Sequence, residues 1–150
     1  MIIYIASDHA GFYYKNQLVR YLSENHEVID EGPYSDESCD YVDYAAKVCE
    51  KVLENDAIGI LYCGTGQGMS RVANKHPGIY AEVCWNEDTA RHAKEHSNAN
   101  VLCIGARVVD FECTKKMVDI WLETPYIPEE RHERRRKKTQ DIERKYMKSK

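Results

Sequence analysis

Short apolar runs alternate along this chain with longer stretches in which apolar positions recur every third or fourth residue. The runs at 2–6, 27–30, 58–62, 79–84 and 101–104, each closed by turn or polar residues, predict strands. The periodic stretches at 10–24, 41–54, 67–75, 87–96, 110–123 and 129–147 predict helices. Strand and helix in regular alternation is the pattern of parallel strands joined by crossover helices. The expected architecture is therefore an α/β domain with a five-stranded parallel sheet covered on both faces. In such a sheet, ligands bind beyond the carboxyl ends of the strands where the winding reverses, commonly between the first and third strands. That places Ser7-Asp8-His9 next to the turn that begins at Cys63.

The 150 residues fit one domain, 1–150, with enough apolar content for a core. The last predicted helix departs from the amphipathic pattern. It follows Pro125 and Pro128, is charged on most faces, and has little to seat it on this domain, so it is expected to reach a partner subunit. The net charge of −4 conceals a division: residues 1–130 carry 11 basic side chains against 22 acidic, and residues 131–150 carry 10 against 3. A basic tail argues for nucleic acid when it brings a stacking platform. This one holds a single aromatic, Tyr146, and the acidic body would repel phosphate chains. It is read instead as a helix docking on an acidic neighbour, with no nucleic-acid partner. The start of the chain has no basic region, and its apolar run is broken by Asp8, so neither a signal peptide nor a membrane span is expected. Six cysteines without a C-x-x-C pair predict free thiols in the cytoplasm, with Cys49, Cys84 and Cys103 serving as small hydrophobes.

Cys63-Gly64-Thr65-Gly66-Gln67-Gly68 changes this picture, because it puts a thiol at a glycine-rich strand-to-helix turn. The glycines let backbone N–H groups converge on a small anion, and a helix start adds positive potential beside the sulfur. With Asp8 and His9 alongside, one pocket would collect a carboxylate, an imidazole and a thiol at an anion hole, which is the equipment of an enzyme. Asp8 would also suit the start of the first helix as a cap. The glycine spacing is neither that of the dinucleotide fingerprint nor that of a P-loop. A cysteine phosphatase would need an arginine six residues after its nucleophile, where Met69 stands, and the nearest arginine is Arg71. His92-Ala93-Lys94-Glu95-His96 fits a zinc-peptidase pattern, but nothing nominates a third ligand, so no metal is assigned. Arg131 and Arg135 lie four apart and can grip one phosphate from a shared helical face.

Several segments together resemble the type B ribose-5-phosphate isomerase family, which includes allose- and galactose-6-phosphate isomerases. They are Ser7-Asp8-His9-Ala10-Gly11-Phe12, Asp40-Tyr41, Cys63 to Ser70, Ala73-Asn74-Lys75, Gly78-Ile79, His96, Asn100-Val101-Leu102, Gly105 to Val109 and Arg131-His132. The resemblance implies a Rossmann-like three-layer αβα sandwich. It also implies an aldose–ketose isomerase that needs no cofactor and acts on a small-molecule sugar phosphate, with active sites shared in a homodimer or dimer of dimers. It implies that Cys63 moves the proton between C1 and C2, Thr65 shuttles protons between the substrate oxygens, and His96 opens the sugar ring. The amides of Gly64, Thr65, Gly66, Gln67 and Gly68 would hold the enediolate. Asp8, His9 and Ser97 would bind substrate, and Arg107, Arg131 and Arg135 the phosphate.

His96 closes the helix before the last strand, so within one subunit it belongs at the amino ends of the strands, opposite Cys63. Delivery by a twofold partner is the favoured resolution, the alternative being a loop that climbs back. Ser97 stands where many members carry asparagine, and the run Arg134-Arg135-Arg136 leaves the second phosphate arginine to be picked by its spacing from Arg131. Ribose 5-phosphate is the expected substrate. Allose 6-phosphate or another hexose 6-phosphate is the alternative, and a non-catalytic phosphate- or nucleotide-binding flavodoxin-like module is the rival from a different class.

Overall fold

The computed structural model describes residues 1–147. Its elements run β1 (Ile2–Ser7), α1 (Phe12–Ser23), β2 (Glu27–Asp30), α2 (Tyr41–Asn55), β3 (Ile58–Cys63), α3 (Gln67–Ala73), β4 (Ala81–Val83), α4 (Glu87–Glu95), β5 (Val101–Gly105), α5 (Phe111–Glu123) and α6 (Glu130–Tyr146). All strand pairings are parallel, and the order across the sheet is β2-β1-β3-β5-β4. The last three residues of the basic segment lie outside the described residues.

Strand order decides which face each helix covers. The connections β1 to β2 and β4 to β5 step across the sheet in one direction, and β2 to β3 and β3 to β4 step in the other. Right-handed crossovers then put α1 and α4 on one face and α2 and α3 on the opposite one. Leu18, Leu22, Ala90, Met117 and Trp121 of α1, α4 and α5 accordingly pack against Ile3, Ile5, Ile60, Leu102 and Ile104. Val48, Val52, Met69 and Ala73 of α2 and α3 pack against the alternate positions Tyr4, Ala6, Leu61, Val101 and Cys103. The period of two along each strand thus feeds two cores, and the sheet is the middle layer of an αβα sandwich. Cys49, Cys84 and Cys103 are buried in these cores, as expected of small apolar residues.

Helix α1 and strand β4 depart from the sequence expectation for local reasons. Helix α1 starts at Phe12 rather than at residue 10 because Asp8 to Gly11 form a turn, in which the Gly11 N–H donates to Asp8 Oδ1 at 3.1 Å. A methyl at Gly11 would sit 2.9 Å from the Tyr62 carbonyl oxygen, so the turn approaches β3 where only glycine fits. Strand β4 keeps three residues because side chains take over its backbone groups. Asn74 accepts from the Ala81 N–H and donates to the Ala81 carbonyl, and Asn100 Oδ1 accepts from the Tyr80 N–H. The edge of the sheet is closed by amides instead of by another strand.

Helix α6 does have a seat on its own chain, built from polar contacts where the sequence offers no apolar stripe. His132 is buried, and its Nδ1 bonds the Ile127 carbonyl at 2.8 Å. Arg136 stacks 4.2 Å over the Tyr80 ring and donates to the Ser97 carbonyl, while Glu143 accepts from the Gly78 N–H at 3.1 Å.

Lys15 is fully buried on α1. Its three donors go to Asp30 Oδ1 and Oδ2, each at 2.9 Å, and to the Pro33 carbonyl at 2.8 Å. This clamp holds the loop after β2 against the end of β1, where the Ser7 N–H donates to the Gly32 carbonyl. Asp30 keeps a quarter of its side chain in solvent, so the two members of the pair differ in what their removal leaves behind. Asp30→Asn strands a buried ammonium and should cost about 3–5 kcal/mol, whereas Lys15→Met leaves a partly hydrated carboxylate and should cost less. Urea unfolding of both variants checks the order, and equal or reversed losses would refute the account.

Candidate active site

The carboxyl ends of β1, β3 and β5 converge on a cleft of about 270 Å³. Asp8 lines it from β1, Cys63 with Gly64, Thr65, Gln67 and Gly68 from β3, and Arg107 from the loop after β5. The chain leaves β3 toward one face of the sheet and leaves β5 toward the other, so their loops part and open a crevice. Hydrogen bonds hold the two loops in register below it. The Ala106 N–H donates to the Cys63 carbonyl at 2.8 Å and the Arg107 N–H to the Gly64 carbonyl at 2.9 Å. A Cβ on Gly105 would lie 2.7 Å from the Thr65 backbone, so the β5 exit passes directly under the β3 loop.

Cys63 is buried to 4 % exposure, yet its side chain forms part of the cleft wall. Its sulfur accepts from the Gly66 N–H at 3.1 Å, a bond that a sulfur anion makes more strongly than a thiol does. Gly66 has φ +82°, a left-handed conformation that turns its N–H back onto the sulfur and starts α3. The Gln67 N–H is bonded at 3.3 Å to Thr65 Oγ1, whose hydroxyl is exposed to the cleft. Two of the five amides expected to face an anion therefore serve the loop itself. The first turn of α3 leaves the Gly68 N–H without an intrahelical partner, at the cleft. Asp8 is almost buried, and beside it His9 Nδ1 accepts from the Cys39 N–H at 3.3 Å, which leaves Nε2 as the donor of that ring. Two more residues line this cleft to which sequence reasoning gave no role, Tyr41, named only as part of a family segment, and Arg71, rejected as a phosphatase arginine.

The other expected residues lie at the opposite edge of the sheet. His96 caps the end of α4, before β5, and with Ser97, His132 and Arg135 it lines a second cavity of about 220 Å³. The His96 ring stacks on His92 at 4.8 Å and meets His132 at 4.6 Å. Burial holds the His96 imidazole below the ordinary histidine value, and the neighbouring His132, His92 and Arg131 push the same way against the opposing Glu95. Its neutral form can both give and take a proton. The arginine run also separates: Arg134 pairs with Glu130, while Arg135 and Arg136 both line the cavity with His96, Arg136 being already engaged by the Tyr80 ring and the Ser97 carbonyl. Arg131 pairs with Glu129 at 3.1 Å on the exposed side of α6. Glu82, which no sequence signal singled out, lines the same cavity, and burial raises its carboxyl above the usual range. His92 and His96 face each other ring on ring, and among the described residues no group of three His, Cys, Asp or Glu side chains is arranged to hold a metal ion.

Fold and site together define a Rossmann-like α/β protein with a small polar cleft across its carboxyl edge. Residues 3–139 match the Ribose/Galactose Isomerase family, and the chain belongs to that family. It is 45% identical to ribose-5-phosphate isomerase B of Escherichia coli strain K12 over 121 residues, which cover 79% of this chain and 81% of that protein. The structure of Clostridium thermocellum ribose-5-phosphate isomerase B superposes with a TM-score of 0.95 at 43% identity, covering 97% of this chain and 99% of the other. That of ribose-5-phosphate isomerase B from Mycoplasma genitalium with bound ribulose-5-phosphate gives 0.91 at 39% identity, covering 95% and 96%.

The imidazole cluster yields a pH prediction. Since the folded state disfavours His96 protonation, the folded protein gains no penalty from this group above about pH 6.5 and loses stability as the pH falls from there to the lowered value. Two-dimensional NMR titration should place the His96 midpoint below 6.5, and His132→Gln should move it upward. A midpoint above 6.5 would contradict the reading of the cluster.

Proposed function

We propose that the chain interconverts D-ribose 5-phosphate and D-ribulose 5-phosphate by ring opening and proton transfer through an enediolate, with each active site built from two copies of the chain. The observation that carries this reading is the Cys63 sulfur, held by the Gly66 N–H in the wall of the carboxyl-edge cleft. Family membership and the relatives named above support the reaction and the substrate class.

The family resemblance supplies the roles, and with them the protons balance. In the open-chain aldose, Cys63 removes the C2 proton and returns it to C1. Thr65 carries the O2 proton to O1, and loop amides stabilise the oxyanion that forms between these steps. Asp8 and His9 bind sugar hydroxyls, and His96 opens the furanose ring beforehand. Arg131 and Arg135 grip the phosphate, Arg107 assists from the cleft, and the binding energy of this remote handle orients C1 and C2. His96 and Arg135 share a cavity that does not include Cys63, which supports a twofold partner as their source. The isomerase then works as a homodimer or dimer of dimers. Among the described residues no helix is long and apolar enough to cross a membrane, and six free cysteines suit a reducing compartment, so we place the enzyme in the cytoplasm.

A coupled assay with ribose 5-phosphate and allose 6-phosphate tests the substrate, and faster turnover of the hexose would reverse the assignment. Cys63→Ala should lower kcat by about 10² to 10⁴, the usual loss for a general base. Arg135→Ala should raise KM and also lower kcat, as loss of remote binding energy used for orientation does. Mixing inactive Cys63→Ala with inactive His96→Ala decides how the site is shared. Random re-pairing should restore about a quarter of wild-type activity, because each mixed dimer regains one intact site of its two. No recovery would mean that one chain supplies both residues.

A further inference from the structure

Arg71 is a guanidinium in the Cys63 cleft to which the roles above give no task. Among the described residues it has no carboxylate partner, and its side chain is exposed. Nη1 donates instead to the Tyr41 hydroxyl oxygen at 3.3 Å. Tyr41 is the first residue of α2, and its ring lies against Gly68. A methyl at that glycine would sit 2.5 Å from Cε1 and 2.8 Å from Cζ, the carbon that bears the hydroxyl. Glycine at position 68 thus lets the phenol reach the start of α3, and Tyr41 and Arg71 both line the cleft with Cys63. A phenol oxygen that accepts from a guanidinium keeps its own O–H free to donate, and the cation strengthens that donation. Arg107, the other guanidinium of the cleft, packs against Gly64 at the opposite end of the loop and takes no part in the pair.

Building on the isomerase reading, we infer that Arg71 and Tyr41 act together as an additional donor to the oxygen that becomes negative when the sugar loses its C2 proton. Tyr41 at the start of α2 and Arg71 on α3 line the cleft that holds Cys63, so the pair faces the reacting carbons, while Arg131 and Arg135 of the same chain lie on α6 at the other edge of the sheet. A donor placed there stabilises the enediolate more than the neutral carbonyl or hydroxyl that precedes it.

Steady-state kinetics of the full-length enzyme test the inference with Tyr41→Phe, which keeps the ring on Gly68, and with Arg71→Met and Arg71→Lys on an exposed side chain. Tyr41→Phe and Arg71→Met should each lower kcat about tenfold, less than the hundredfold or more of a primary oxyanion donor, with KM within about twofold. The double variant should fall no further than the worse single one, and Arg71→Lys should recover part of the loss. Wild-type kcat in Arg71→Met, a rise in KM alone, or losses that multiply in the double variant would each overturn the pair's role; should Tyr41→Phe fold poorly, the two Arg71 variants decide. Wild type and Cys63→Ala are assayed alongside. Cys63-dependent turnover with unaffected Arg71 variants removes this inference and leaves the isomerase reading standing, while absence of turnover in wild type removes both.

Discussion

In a parallel sheet every loop that leaves a strand lies at one edge, and every loop that enters a strand lies at the other. This chain leaves β1, β3 and β5 through Asp8, Cys63 and Arg107, and it enters β5 through His96 and Ser97. The two groups are separated by the length of the strands, and no loop adjustment of a few residues can bring them together. The division of labour between the edges follows from this directionality. Groups suited to moving a proton on carbon sit at one edge, and groups suited to holding an anion and opening a ring sit at the other.

Each edge is rigid for its own reason. At the carboxyl edge the β3 and β5 loops are bonded through the Cys63 and Gly64 carbonyls and pressed together where Gly105 passes beneath Thr65. A sulfur fixed in this way pays no reorganisation cost when charge develops nearby. At the amino edge the order comes from stacking. His92, His96 and His132 form a column, and burial, with smaller contributions from His132, His92 and Arg131, disfavours protonation of His96. An imidazole kept neutral beside cations leaves their charge available to an incoming anion, and it can still exchange a proton with a ring oxygen.

Much of the fold was legible in the sequence because it is encoded by local period. Strands at 2–6, 27–30, 58–62 and 101–104 differ from the observed ones by at most one residue, whereas the run at 79–84 narrowed to Ala81–Val83. That shortening comes from Asn74 and Asn100, whose side-chain amides take over backbone groups seven and twenty residues away, which the apolar period of the run does not encode. The Cys63 loop was legible because its chemistry is contiguous. The meeting of Tyr41 with Arg71 in the cleft was not, since a tyrosine at the start of α2 reaches it only by packing on a glycine 27 positions further along the chain. Arg71 could be dismissed from a phosphatase loop by its spacing, but the same spacing gave no hint that a phenol would meet its guanidinium. Glu82 was invisible for a similar reason: on a short edge strand, alternation does not tell which face borders a cavity.

The seat of α6 bears on why a charged helix belongs to this architecture at all. Arg136 on Tyr80 and Ser97, together with His132 on Ile127, fix the helix to the amino edge and leave Arg135 directed at the His96 cavity. An isologous contact between two copies repeats every pairing twice, so one carboxyl edge laid against one amino edge necessarily creates a second, identical junction. Under the shared-site reading, substrate would bridge the interface, with its phosphate on one copy and its reacting carbons on the other. Binding energy from the phosphate would then draw the two edges together around C1 and C2, and the strain of closure would fall on the interface and spare the rigid Cys63 loop. The helix that contributes almost nothing to the core would in this way set the distance over which the chemistry is aligned.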